Sequence, residues 1–272
     1  MEVSGGYRYR RFARIDPRRS PTLGTAVDDT RRVDEEYFTD VRAGLKRDLE
    51  VGIVALHASR REGRPTIVPS TAVSAADALE NRFRVSGFSD LILRLSWQRV
   101  RSIAPLENLA VDLEVKLDTA GGDRELFSDL ALGTGQTDVA VAVRGKKELD
   151  WATLAGGVKA VWRGTATVSD LTGARVRMDP GDELLCWLDV LRAGPASWWV
   201  ASLSLCALIS AIPGTDGLLD PVEARRFVAL SPGFSVHLTE SVELAGTYRM
   251  PLLSRNVTRD GQGYEISTRF RF

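Results

Sequence analysis

A glycine-rich segment, Gly133 to Asp138, has the composition of a loop that could bind the phosphates of a dinucleotide. Such a loop needs an apolar strand before it, a helix after it, and a third glycine that lets the backbone approach the phosphate. Here Asp138 takes the place of the third glycine, no apolar strand leads in, and a strand-like alternation follows. We therefore expect no nucleotide and no other cofactor.

The sequence also lacks the clustered residues that a metal site or a hydrolase active site would need. His57 and His237 are the only histidines, and neither has a companion at the spacing of metal ligands. Serine and aspartate are plentiful, but the chain contains no nucleophile elbow of the Gly-x-Ser-x-Gly type. We expect no metal site and no catalytic residues.

The end of the chain carries a more informative pattern. Residues 264–272 alternate between apolar and polar side chains, as an extended strand does when its two faces meet different surroundings. The last strand of an outer-membrane β-barrel has this form, because its outer side meets lipid and its inner side meets water. The face that we expect to close a barrel against lipid consists of Tyr264, Ile266, Phe270 and Phe272.

The same period of two recurs along the whole chain, most clearly in Leu109 to Asp118, where leucines and valines alternate with charged residues. The pattern predicts an all-β protein: a closed antiparallel up-and-down transmembrane β-barrel of about twelve strands, each near the length that a tilted transmembrane strand needs. We expect residues 1–272 to form this single domain. The alternative is a soluble lipocalin-like barrel with its apolar residues inside. The predicted strands are 3–14, 36–46, 48–59, 84–99, 109–118, 137–147, 151–163, 182–192, 197–210, 225–238, 240–251 and 263–272.

The connections between these strands alternate between long and short. Tight turns are predicted near 47–48, 147–150 and 239–240, and long polar loops lie on either side of them in sequence. Bacterial outer-membrane barrels show this asymmetry because their periplasmic turns are short and their extracellular loops are long. We therefore expect both chain termini on the periplasmic side.

Composition excludes several other classes of protein. The chain has 36 acidic and 36 basic residues, so it carries no signal for binding nucleic acid. Its most apolar stretch, 198–212, is interrupted by serines and is shorter than the roughly 20 residues of a transmembrane helix. A barrel is the remaining way to satisfy every backbone group in lipid.

A protein of the bacterial outer membrane is made with a signal peptide, and the sequence from Met1 shows none. We expect the natural protein to have a leader that is missing here. The alternative is a cytoplasmic protein that never had one.

Two segments share the pattern Gly-x-x-Asp-aliphatic at the start of an alternating strand, namely 87–91 and 135–139. Together with the aromatic C terminus they resemble the outer-membrane barrels associated with meta-pathways of phenol degradation, over roughly 84–272. Ser89 and Thr137 stand where that family commonly has a second glycine. The resemblance implies a barrel of about twelve strands and the passage of small aromatic or hydrophobic compounds.

The two aspartates of these segments, Asp90 and Asp138, share parity with Arg94 and Arg144. We expect all four to point into the lumen. The aspartates would cap loop backbone and pair with the arginines, or else take part directly in selecting the solute.

Parity along the predicted strands assigns charged residues of both signs to the inner face. Such side chains can pair across a bore of this size, which predicts a narrow, wet and partly occluded channel without strong ion selectivity. The predicted pore-lining residues are Arg8, Arg10, Asp40, Arg42, Asp90, Arg94, Asp112, Glu114, Lys116, Asp138, Arg144, Lys159, Arg163, Asp189, Glu243, Arg249, Glu265, Arg269 and Arg271.

The two cysteines fall on opposite faces, Cys186 with the apolar set and Cys206 with the polar set. Residues on opposite faces of a sheet are not easily bridged, so we expect two free thiols.

Three functional hypotheses follow for a protein of the bacterial outer membrane. The first is a porin-like channel for the passive passage of small solutes. The second is a structural barrel that anchors the protein while its loops bind a protein partner. The third is a membrane-embedded enzyme, which requires Ser, His and Asp side chains to converge at the rim. The expected partners are outer-membrane lipid and the barrel-assembly machinery, which would recognise the C-terminal strand; nucleic acid is not among them.

Overall fold

The computed structural model describes residues 1–12, 32–63, 82–99, 107–120, 135–169, 175–194, 198–211, 214–215, 218–219, 226–255 and 262–272. Its regular elements are strands. In chain order they are β1 (Glu2–Phe12), β2 (Arg32–Lys46), β3 (Leu49–Gly63), β4 (Arg82–Phe88), β5 (Leu91–Arg99), β6 (Glu107–Leu117), β7 (Asp138–Glu148), β8 (Thr153–Arg163), β9 (Ala166–Ser169), β10 (Arg175–Asp179), β11 (Glu183–Ala193), β12 (Trp199–Ser210), β13 (Gly214–Thr215), β14 (Leu218–Leu219), β15 (Arg226–His237), β16 (Val242–Arg255) and β17 (Gln262–Arg271).

The strands close into a twelve-stranded antiparallel barrel. Around the wall the order is β1, β2, β3, β5, β6, β7, β8, β11, β12, β15, β16 and β17, which returns to β1. The first and last strands pair through Gly5 with Thr268 and Tyr9 with Tyr264, as the C-terminal pattern predicted. Closure leaves no sheet edge at this seam.

The outward surface is apolar. Leu113, Leu188 and Leu205 lie near the middle of their strands and are 40%, 50% and 42% exposed, whereas the neighbouring inward residue Asp112 is 7% exposed. Soluble proteins place alternating leucines in the opposite direction, toward a core. The soluble alternative, with the apolar faces inside, is therefore wrong for these strands.

Aromatic side chains border this apolar surface near the strand ends. Trp97, Trp151, Trp162 and Trp198 are exposed, and the Trp97 indole Nε1 donates a hydrogen bond to Asp48 at 3.0 Å. An indole with an apolar body and a bonded N–H suits a boundary between lipid and water.

Tyrosines form a second border on adjacent strands. The rings of Tyr7 and Tyr37 are 5.1 Å apart between centroids, and Tyr9 stacks on Tyr264 at the same distance.

One end of the barrel holds both chain termini, where the Phe272 amide donates to the Met1 carbonyl at 2.9 Å. We call it the termini end and the opposite end the loop end. The chain turns at the termini end through residues 47–48, 149–152 and 238–241. Most of the predicted long loops lie outside the described residues, so the alternation of loop lengths stays a prediction.

Two features differ from the sequence-based prediction. The predicted strand 84–99 is two strands, because the chain leaves the ladder at Ser89 and Asp90: β4 and β5 both pair with β3, and only β5 pairs with β6. In addition, predicted loops contain β9, β10, β13 and β14, which form a separate four-stranded sheet. Such short strands carry too few residues for alternation to reveal them.

No helix in the described part of the chain is long and apolar enough to cross a membrane.

Candidate functional site

The inward faces of β1, β2, β5, β6, β7 and β8 carry a dense set of charged side chains, which we call the charged panel. Alternation puts them there, because the leucines and valines between them face outward. The panel comprises Arg8, Glu36, Asp40, Arg42, Arg94, Asp112, Glu114, Lys116, Asp138, Arg144 and Lys159.

Arg94 lies at the centre of the panel. Its Nε donates to Glu114 Oε1 at 3.0 Å, and its Nη1 donates to Asp40 Oδ2 at 3.4 Å. Asp40 also accepts from Arg42 Nη2 at 2.5 Å, and Glu114 accepts from Lys159. Each carboxylate is thus shared between two cations. Charge-assisted hydrogen bonds of this kind are stronger than neutral ones.

The ion pairs of Arg94 and Lys159 run along the wall and not across the bore. Arg94 reaches Asp40 past β3, where Gly52 leaves room, and Lys159 reaches Glu114 past β7, where Ala142 does. Neighbouring strands are about 4.8 Å apart, so two long side chains easily join strands that are two positions apart. A partner on the opposite wall is farther away.

Arg8 and Arg144, which lie on either side of Arg94 along the wall, also make ion pairs. Arg8 Nε donates to Glu265 at 2.7 Å and Nη1 to Glu36 at 3.1 Å. Arg144 Nε donates to Asp112 at 2.8 Å.

The two Gly-x-x-Asp segments meet at one lysine. The Lys116 ammonium lies 3.8 Å from Asp90 and also contacts Asp138. Asp90 accepts a hydrogen bond from the Ala120 amide at 3.4 Å, and Asp138 accepts one from the Gly164 amide at 3.3 Å. The aspartates cap loop backbone, as expected, but their cation is Lys116 and neither Arg94 nor Arg144.

The backbone conformation explains why the second segment has a glycine at position 135. Gly135 has a φ of +66°, in the left-handed region that other residues adopt only with strain. It lets the chain turn into β7 just before Asp138.

The inward faces of β12 and β15 are different. Apart from Leu208, Phe227 and His237, which have the same parity, they carry small uncharged side chains, which we call the serine panel: Ser202, Ser204, Cys206, Ser210, Ala229, Ser231, Gly233 and Ser235. Cys206 faces inward and Cys186 outward, and both are free thiols, as predicted.

Three cavities lie against the charged panel. Cavity A, of about 380 Å³, includes Phe38, Val54, Leu56 and Ile92 among its lining residues. Cavity B, of about 280 Å³, shares Arg42, Arg94, Glu114 and Lys159 with cavity A. Cavity C, of about 410 Å³, lies toward the termini end and shares Arg144 and Trp187 with cavity B. Cavity B therefore lies between cavities A and C and has lining residues in common with each of them.

Two aromatic residues that line the cavities, Phe38 and Trp187, were missed by the sequence analysis. Phe38 lies over Gly6, where an added Cβ would be 2.6 Å from the ring, and the Arg8 Cζ is 5.5 Å from the Phe38 centroid. Trp187 covers Gly157 in the same way. The signal was available, since Phe38 shares parity with Asp40 and Trp187 with Asp189.

The remaining predicted pore-lining residues also face inward. Asp189 lines cavity C, and Glu243, Glu265 and Arg269 line cavity A. The others make contacts on the inner wall: Arg10 interacts electrostatically with Glu36, Arg163 pairs with Glu183 at 2.6 Å, Arg249 lies 4.5 Å from the Phe227 centroid, and Arg271 pairs with Glu243 at 3.5 Å. The described residues contain no group of three or more His, Cys, Asp or Glu that could hold a metal ion.

Solved structures share this architecture. An outer-membrane channel from Pseudomonas putida F1 superposes with a TM-score of 0.72 at 15% identity, covering 100% of this chain and 96% of that chain. The fold is that of an outer-membrane barrel. The NanC porin matches with a TM-score of 0.52 at 10% identity, covering 100% of this chain and 99% of the porin. The transport unit of the autotransporter AIDA-I from Escherichia coli also reaches 0.52, at 8% identity, covering 100% and 89%.

No family model matches the chain, and no curated protein matches it. At identities this low, the superpositions show a common fold and nothing more specific. The function therefore has to be argued from the lumen itself.

Proposed function

We propose that this chain is a channel of the bacterial outer membrane for the passive passage of small amphiphilic solutes. The observation that carries the proposal is the row of cavities A, B and C beside the charged panel, in which cavity B has lining residues in common with each of the other two. A barrel with an apolar exterior and a charged, hollow interior can lie in lipid while polar solutes pass through its lumen. A non-enzymatic barrel also fits the channel, porin and transport unit that share the fold.

The lining of cavity A supports an amphiphilic solute. Val54, Leu56 and Ile92 lie beside Arg8 and Arg94 in that cavity. The apolar body of such a solute would contact the apolar side chains, and its polar group would contact the arginines. The guanidinium groups would then not face an apolar part of the solute, which would be costly. The resemblance to the phenol-associated barrels implies small aromatic or hydrophobic solutes, which are the more apolar members of this class.

The proposed orientation places the termini end in the periplasm, because the short turns lie there. The exposed apolar residues of β6, β11 and β12 would contact lipid. The last strand, with Phe270 and Phe272 exposed, would be the segment that the barrel-assembly machinery recognises.

Planar-bilayer recordings with an Arg144→Ala variant test the proposal. Arg144 lines both cavity B and cavity C and makes an ion pair with Asp112, whose other hydrogen-bond partner is the uncharged Ser96 hydroxyl. The parent should conduct. The variant should conduct more, and its reversal potential in a salt gradient should shift toward cation selectivity.

Arg94→Ala should shift selectivity less, because Asp40 keeps Arg42 and Glu114 keeps Lys159. Arg192→Ala is the matched control, since Arg192 belongs to the outward parity of β11 and is exposed. A closed parent together with a closed Arg144→Ala variant would refute the channel.

One observation favours the second candidate function, an anchoring barrel that binds a protein partner through its loops. The sheet of β9, β10, β13 and β14 is separate from the barrel wall and begins at the loop end of β8. A partner site there predicts that shortening the β9–β10 hairpin abolishes partner capture and leaves conductance unchanged. Altered conductance without any change in capture would count against it.

A further inference from the structure

Cavity C combines an aromatic wall with mixed charges at the termini end of the lumen. Its lining includes Trp187 and Asp189 of β11, Arg144 and Lys146 of β7, and Gln98 of β5. At about 410 Å³ it has room for a small organic molecule.

Each of the two cations of cavity C has a carboxylate partner. Arg144 is paired with Asp112 at 2.8 Å, and Lys146 is paired with Glu148 at 2.8 Å. Asp189 is the charge that remains, so the balance of these five groups is negative.

Asp189 is also exceptional among the carboxylates that line the cavities. In cavities A and B the carboxylates make ion pairs, including Asp40 and Glu114 with Arg94 and Glu50 with Arg42. Within the described ranges, Asp189 makes no ion pair or hydrogen bond. Its side chain is half-buried on the inner wall.

Trp187 provides a fixed apolar surface next to this carboxylate. Its six-membered ring lies against Gly157, where an added Cβ would be 2.6 Å from Cζ2 and 2.7 Å from Cη2. Residues two apart on a strand point to the same side, so Trp187 and Asp189 project into the same space. The face of an indole attracts cations, and a carboxylate beside it adds a charge of the opposite sign.

We infer that Trp187 and Asp189 form a binding site for a small organic cation, such as a quaternary ammonium compound, in the termini-end half of the lumen. The inference deepens the proposed channel function by naming a solute class. It rests on that function only for the route by which the cation arrives. Binding can be measured without any conduction, so the two proposals can fail separately.

The test compares choline with 3,3-dimethyl-1-butanol, in which carbon replaces the charged nitrogen. Saturation-transfer NMR on the full chain in nanodiscs would measure the saturable binding of each. Choline should bind the parent, and the neutral analogue should bind at least about ten times more weakly, because it gains neither the cation–π contact nor the ion pair.

Asp189→Asn should weaken choline binding by about ten-fold while keeping the size of the side chain. Trp187→Leu should weaken it comparably. The matched control is Glu240→Gln, which removes an exposed carboxylate from the turn between β15 and β16, at the same end of the barrel. That variant should bind choline as the parent does.

Three outcomes would overturn the inference. These are equal affinity for choline and its neutral analogue, unchanged choline binding by Asp189→Asn, or saturable binding of benzoate in place of choline. Because Asp189→Asn is nearly isosteric, the test remains decisive even if Trp187→Leu does not fold.

Discussion

The charged panel and the serine panel line the same lumen by different means. On the charged panel, long side chains lie along the wall and share partners, as Arg94 does between Asp40 and Glu114. On the serine panel, β12 and β15 oppose small residues directly, as in Ser204 with Ser231 and Cys206 with Ala229. Both panels place polar groups on the inner face.

The difference lies in how strongly each residue depends on others. A guanidinium on the charged panel is held by carboxylates of its own strand or of strands one or two positions away, so removing one group affects several. In the described part of the chain, the hydroxyls of Ser204 and Ser231 make no such contacts. The charged panel should therefore be sensitive to single substitutions, and the serine panel should tolerate them.

The largest expected effect tests whether the serine panel faces the lumen at all. Leu205→Arg places a charge on the outward face of β12 and should cost about 2–4 kcal/mol of unfolding free energy near the bilayer midplane. Ser204→Arg, one residue earlier, should cost less than about 1 kcal/mol because a lumen-facing charge stays near water. Chemical unfolding in lipid vesicles would measure both. Equal costs would contradict the assignment of faces.

An intermediate effect is expected where the charged panel shares a cation between two strand starts. Lys116→Met should cost about 2 kcal/mol, because Asp90 and Asp138, 3% and 7% exposed, both lose their ammonium partner. Lys147→Met at the termini end of β7 is the control and should change stability by no more than about 0.5 kcal/mol. The same unfolding assay applies, and similar losses in the two variants would argue against the shared-lysine arrangement.

The smallest effect compares the same substitution at a serine of the serine panel and at Ser96, which bonds two residues of the charged panel. Ser231→Ala should change stability by no more than about 0.5 kcal/mol. Ser96→Ala should cost about 1 kcal/mol, because the buried Ser96 hydroxyl donates to Asp112 at 2.5 Å and accepts from Arg144 at 3.1 Å. A loss at Ser231 as large as that at Ser96 would show that the serine panel is also part of a bonded network.

The direction of each side chain could be read from the sequence. Asp112 faces inward, Leu113 outward, Cys206 inward and Cys186 outward, all as alternation predicts. This works because the period of two is a property of the extended backbone and needs no knowledge of neighbouring strands. Closure of β17 on β1 followed from the same pattern, since an open edge in lipid would leave backbone groups unsatisfied.

The partners of each side chain were decided by the tertiary structure. Arg94 meets Asp40 because β3 lies between their strands and carries Gly52, and one Lys116 serves Asp90 and Asp138 because β5 and β7 flank β6. Asp189 and Trp187 border a cavity in which, within the described ranges, the carboxylate has no ionic partner. Such contacts depend on strand order and register, which join residues far apart in sequence. Local alternation contains no information about either.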